Sequence, residues 1–191
     1  KVEAATLRIT QPKIELELAR GENYSGELEV ENPTEETLQL RIYLEDWKYK
    51  GGSGEKEFGP LGTMPFSASK WISFSPAEAT LKPFSRQMVR YTITVPEDAS
   101  GAYFSVLFFE SMIGVMEDPD TEGAFVKVAG RIGALFFVRI KDTIDRKGEI
   151  TSVKTTPPAG NSPMEIETEF KNTGNVDITL SGNLLIMDAE G

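Results

Sequence analysis

The sequence predicts an all-β fold: an antiparallel β-sandwich followed by a second, incomplete β-sandwich domain. Three observations carry this expectation. Apolar residues recur at every second position, as in Val89, Tyr91, Ile93 and Val95, or in Leu38, Leu40, Ile42 and Leu44 set against Gln39, Arg41, Tyr43 and Glu45. Prolines break such runs at Pro76, Pro83 and Pro96, so that residues 69–110 read strand, break, strand, break, strand. Each of these strands has one apolar face only, which must be covered by a second sheet.

Composition bounds the function. The 191 residues suffice for one large or two smaller domains. A formal charge of -10 repels a phosphate backbone, which argues against nucleic acid as a partner. With no histidine and no cysteine, the zinc sites built on them, thiol nucleophiles and Ser-His-Asp triads are excluded. The remaining acid-base candidates are scattered carboxylates with no paired setting, so no enzyme and no cofactor are expected. No run of about 18 apolar residues occurs to span a membrane, and no charged-then-apolar leader opens the sequence.

In chain order, residues 6–9 and 13–19 form two short strands, the second alternating Ile14, Leu16 and Leu18 with Glu15 and Glu17. Residues 24–31 and 37–46 follow, separated by turns at 20–23 and 32–36, and are expected to be hairpin-linked to their sequence neighbours. From 50 to 69 the alternation lapses around Gly51, Gly52, Gly54, Gly59 and Gly62. A loop of that length is functional, mobile, or hides a short strand. Trp71 is a candidate core anchor.

Residues 112–123 form a hairpin whose tip holds Glu117, Asp118, Asp120 and Glu122. Their spacing is unspecific for calcium and they lack an EF-hand's glycine and final glutamate, so a solvated tip is expected and no metal site. The strand of residues 124–140 is apolar on both faces from Ala134 to Val138. Such a run needs cover on its second face, either from the next domain or from another polypeptide. It is also a candidate strand edge for a protein partner, through Arg131, Ala134, Phe136, Val138 and Ile140.

The charged segment 141–148 reads as a linker, which places the domains at 1–143 and 144–191. Strands are expected at 150–155, 164–171, 176–180 and 183–187, with a turn at Asn172, Thr173, Gly174 and Asn175. Four strands make half a sandwich. The expectation is that the native chain continues past Gly191 or that the two segments share an interface.

Residues Trp71-Ile72, Pro76, Leu81-Lys82-Pro83, Met88-Val89-Arg90, Pro96, Tyr103-Phe104, Leu107 to Glu110 and Leu135-Phe136-Phe137 together resemble the N-terminal immunoglobulin-like domain of periplasmic pilus chaperones. The second segment is similar to add-on immunoglobulin-like domains of secreted bacterial proteins. The resemblance implies export, to the periplasm or cell surface, and a grip by two basic residues on a subunit's terminal carboxylate. In this register Ala134 stands where a last-strand lysine is expected. Arg131 and Arg8, or Lys13, are left as the carboxylate anchors. The expected function is a non-enzymatic exported envelope module, structural or adhesive, binding protein or cell wall. The alternative is a pilus-type assembly chaperone that caps a subunit with its last first-domain strand.

Overall fold

The structure is a computed structural model that describes residues 7–51, 54–117, 125–160 and 162–187. The chain divides into two units, Lys1–Thr143 and Ile144–Gly191. In the first, one sheet has the order β1 (Arg8–Ile9), β3 (Asn23–Glu31), β8 (Arg86–Thr94), β6 (Ile72–Ser75). The other has the order β2 (Lys13–Leu18), β10 (Phe125–Ile140), β9 (Ala102–Glu117), β4 (Leu38–Tyr49), β5 (Lys56–Pro60). β7 (Glu78–Leu81) pairs with the start of β4 on the edge whose far end takes β5.

The alternation sorts as the physics of a pleat requires. Leu28, Val30, Val89 and Ile93 of the first sheet meet Leu40, Ile42, Leu107, Phe109, Phe136 and Val138 of the second in one core. All are nearly or wholly inaccessible, and each large side chain buried there contributes about 1.5–3 kcal/mol.

The connectivity differs from hairpin-linked neighbours. β2, β3 and β4 do not pair with one another: β3 lies in one sheet, β2 and β4 in the other. Pro12, which has no N–H to give a ladder, stands where the chain leaves β1 and crosses to the second sheet as β2. There β2 runs parallel to β10, in register from Leu135 opposite Lys13 to Ile140 opposite Leu18. The stretch without alternation conceals a short strand, β5, and a 3-10 turn at Ser69–Trp71. The interior of the sandwich carries its heaviest aromatic burial in Phe109 and Phe136, while Trp71 is only partly buried, its ring 4.2 Å from that of Tyr103.

In the second unit, β11 (Gly148–Thr156) and β12 (Glu165–Asn172) form an antiparallel pair. The strands expected at 176–180 and 183–187 make no ladder among the described residues. Both units close a strand with the same asparagine corner. Asn32 donates to the Glu36 carbonyl at 2.7 Å and accepts from the Thr34 amide at 3.0 Å. Asn172 donates to the Val176 carbonyl at 2.7 Å and accepts from the Gly174 amide at 3.0 Å.

Candidate functional site: the half-open edge of β10

The two faces of the β10 sheet have separate covers. On its outer side Trp47, Val106, Phe108 and Phe137 form a second buried cluster with Tyr43, Phe104 and Leu135 packed against it. Sequence reasoning assigned this cover to another domain or chain, but much of it is local. Tyr49 stands edge-on to Trp47 at 5.2 Å, and Phe58 of β5 edge-on to Phe108 at 5.2 Å. Lys13 lies 4.7 Å above Phe137 and Arg131 4.0 Å above Phe108. Cation stems cover ring faces while their charged ends stay in water.

One end of the interior is closed by residues 62–69, drawn in by a buried carboxylate that the alternation did not flag. Asp46 falls on the inward register of β4 and is fully inaccessible. It accepts from the Met64 amide at 2.9 Å, Ser67 Oγ at 2.6 Å and Ser69 Oγ at 2.5 Å. Burial pushes its carboxyl up, yet the donors of Ser67, Ser69, Met64 and Gly62 outweigh that and hold it below the ordinary aspartate value. Ser67 thereby bridges to Phe104, whose amide donates to Phe66 and whose carbonyl accepts from Ala68. The available signal was an aspartate at an inward position, which has to be satisfied by donors.

Of the expected strand edge, Phe136, Val138 and Ile140 lie where β2 pairs with β10 from Leu135 onward, while Arg131 and Ala134 lie on the stretch that β2 does not reach; the side chains of Ala134, Phe136, Val138 and Ile140 are wholly buried in the core. The same strand, however, outruns β2. Residues 125–134 pair with β9 on one side, and no described strand pairs with them on the other. The direction of the free amides follows from the two-residue repeat. The Leu135 amide donates toward β2, to the Pro12 carbonyl at 3.0 Å, so the amides of Gly133, Arg131 and Ala129 project from the same edge. Among the described residues this open edge is a stretch of unpaired backbone in direct line with a strand, β2, that already pairs on the same side.

The expected carboxylate anchors, Arg131 and Arg8 or Lys13, have separate surroundings. Arg131 donates to Glu45 at 3.0 Å and to the Tyr43 hydroxyl at 3.2 Å, and Tyr43 in turn donates to Glu110 at 2.7 Å. Tyr43 and Glu45 hold its guanidinium still more firmly protonated than usual. It lies with Phe108 on the outer face of its sheet. Arg8 is exposed on β1 of the opposite sheet, next to Ile9, which packs on the core. The two residues stand on strands of different sheets, and among the described residues no hydrogen bond or ion pair joins them to a common group. Lys13 is engaged with Glu15 at 3.0 Å. Of the acidic tip, Asp118, Asp120 and Glu122 lie outside the described residues, as does the side chain of Glu117.

This sandwich is an immunoglobulin-like fold of the pilus-chaperone kind. Among solved structures it is similar to a chain of a chaperone-tip adhesin complex vital for synergistic activation of CFA/I fimbriae biogenesis. The two share 17% identity over 90% of this chain and 68% of the other, with a TM-score of 0.50. It is similar also to a chain of the CsuC-CsuE chaperone-tip adhesion subunit pre-assembly complex from the archaic chaperone-usher Csu pili of Acinetobacter baumannii. There the identity is 16%, over 90% of this chain and 73% of the other, again with a TM-score of 0.50. At such identities the likeness is one of fold. No protein-family model and no curated protein matches the sequence.

Proposed function

We propose that this protein is a non-enzymatic assembly chaperone of the bacterial envelope, exported to the periplasm, that receives a β-strand of a client protein on the open edge of β10. The observation that carries the reading is the unpaired edge of residues 125–134 beside a fully paired continuation at 135–140. β2 has already shown that this edge accepts a parallel strand, and a client strand would continue the same line of hydrogen bonds. The fold likeness to chains from two chaperone complexes with tip adhesins supports the same class of partner. Main-chain pairing supplies the affinity in such a mode, so no catalytic group is needed.

A structural or adhesive envelope module is the second reading, and one observation favours it. Arg131 is engaged with Glu45 and Arg8 stands on the other sheet, so among the described residues no two bases are seen paired for the carboxylate grip that the chaperone resemblance implies. One substitution separates the two. Ala129→Pro removes an outward amide and leaves the β9 ladder, which uses the amides of the even-numbered residues. An envelope extract from the native host is passed over immobilised wild-type and variant protein, and bound proteins are quantified. The chaperone reading expects captured client to fall at least tenfold in Ala129→Pro with the thermal midpoint unchanged. Capture that survives the proline intact would defeat it in favour of the structural module.

A further inference from the structure

The other sheet carries an open stretch of its own. β1 pairs with β3 only at Glu31 and Val30, and just past it the Thr10 amide donates to the Glu29 carbonyl at 3.1 Å. The Glu29 amide points the same way, to Thr10 Oγ1 at 3.4 Å. The Asn32 amide turns to the opposite side and donates to the Ser85 carbonyl at 3.0 Å. By the two-residue repeat, the amides and carbonyls of Glu27, Ser25 and Asn23 therefore face away from β8. Among the described residues no backbone hydrogen bond is made to them on that side. Gln11 and Pro12 have by then carried the chain across to the second sheet. At the other end of the stretch the Glu22 carbonyl turns back to accept from the Val95 amide at 3.0 Å.

An exposed strand edge is a template for further pairing, and chains that stay single guard it with lysine, proline, brevity or a bulge. Other edges of this sandwich are guarded in this way. Lys56 and Pro60 stand on β5, Lys13 opens β2 directly after Pro12, and β6 has four residues and runs into Pro76. Residues 23–27 contain no lysine, no proline and no shift of register. Their one charge, Glu27, is paired with Arg90 at 2.8 Å.

The same residues are complementary to themselves. Ser25 is the midpoint of the open stretch, and only an antiparallel register centred on it lets all three open residues exchange both backbone hydrogen bonds with a copy. Asn23 then stands opposite Glu27, Ser25 opposite Ser25, and Glu27 opposite Asn23. A register shifted toward Glu29 meets backbone that Thr10 already holds. The centred register sets no like charges opposite each other. Carboxylate meets carboxamide, and hydroxyl meets hydroxyl as Ser25 already meets Thr92 at 2.9 Å on its other side.

We propose that two copies of this chain associate through residues 23–27 of β3, antiparallel about a twofold axis at Ser25, joining their four-stranded sheets edge to edge. The contact is short, so the association is weak and reversible. It uses a different sheet from the edge of β10 assigned to a client.

Sedimentation equilibrium of the whole protein reads the association directly. Wild type is expected to pass from monomer toward dimer as its concentration rises, and a monomer at every concentration up to about 1 mM would overturn the proposal. At the axis each side chain faces its own copy. Ser25→Lys and Ser25→Asp should therefore each weaken association about tenfold or more when alone, by setting like charges directly opposite, and restore it when mixed in equal amounts. Ser25 is exposed, so neither change reaches the core. Ser25→Pro removes an outward amide and should stay monomeric in any mixture. Single variants that dimerise like the wild type, or a lysine and aspartate mixture that remains monomeric, would overturn the proposal. Dimerisation abolished by Ala129→Pro and untouched by Ser25→Lys would overturn it too, by assigning the contact to the edge of β10.

Discussion

Replacing Asp46 by alanine tests the most heavily used polar group in the first unit. The change leaves the Met64 amide and the Ser67 hydroxyl without their acceptor, while Ser69 retains the Glu45 carbonyl at 3.1 Å and the Ser105 hydroxyl at 2.9 Å. Hydrogen bonds to a charged group contribute about 1.5–3 kcal/mol each. Two of them are lost outright, and removal of a buried carboxylate relieves part of its desolvation cost. The expected loss is therefore about 3 kcal/mol, a large share of a domain's usual margin. Urea unfolding followed by tryptophan emission reads it directly, because Trp71 stands at the end of the segment that Asp46 holds, its amide bonded to Ala68 at 2.9 Å. The same measurement across pH carries a sign. The Asp46 carboxyl is held below its ordinary value of 3.8, so its contribution is complete above about pH 4 and disappears as the pH falls through the lowered folded-state value. Wild type and Asp46→Ala should therefore converge in stability toward low pH. A loss below about 1 kcal/mol at neutral pH, or a gap unchanged by acid, would refute the account of residues 62–69 as held by this carboxylate.

Three further outcomes follow from the packing. Gly133→Ala places a Cβ 2.7 Å from Val106 and 2.9 Å from Phe108; it should cost about 1–3 kcal/mol in chemical denaturation. Asn32→Ala removes a side chain bonded to Glu36, Lys82 and Thr34 at a position with no exposure; a loss of about 2–3 kcal/mol is expected, with the thermal midpoint as the readout. Burial, aided by Tyr24, pushes the Tyr91 phenol up to about 12. Stability should therefore decline as the pH rises from about 10 toward 12, and Tyr91→Phe should flatten that decline in alkaline unfolding curves.

Much of the sandwich was legible because period-two alternation is a local property of the chain. Val89, Tyr91 and Ile93 all face inward on β8, as the spacing requires. The partner of each strand was not legible, because pairing joins residues far apart in sequence. Nothing local in residues 13–18 distinguishes a hairpin neighbour of β3 from a parallel partner of β10. The same ignorance left the extent of the strand edge unread. Phe136, Val138 and Ile140 lie where β2 pairs, whereas Arg131 and Ala134 belong to the open stretch before Leu135, and the alternation treats the two parts identically. Asp46 was passed over for a related reason: an acidic residue in an inward register makes sense only once the segment that supplies its donors is known.

The sequence alone determined the layers: which residues face inward, and where prolines and glycines end the strands. These follow from backbone geometry and side-chain chemistry within a few residues. Only the tertiary structure decided that β2 starts at Lys13, opposite Leu135, while β10 already begins at Phe125, leaving a line of amides open. Two strands of unequal length meeting from distant parts of the chain create that edge, and no stretch of either strand by itself records where the other ends.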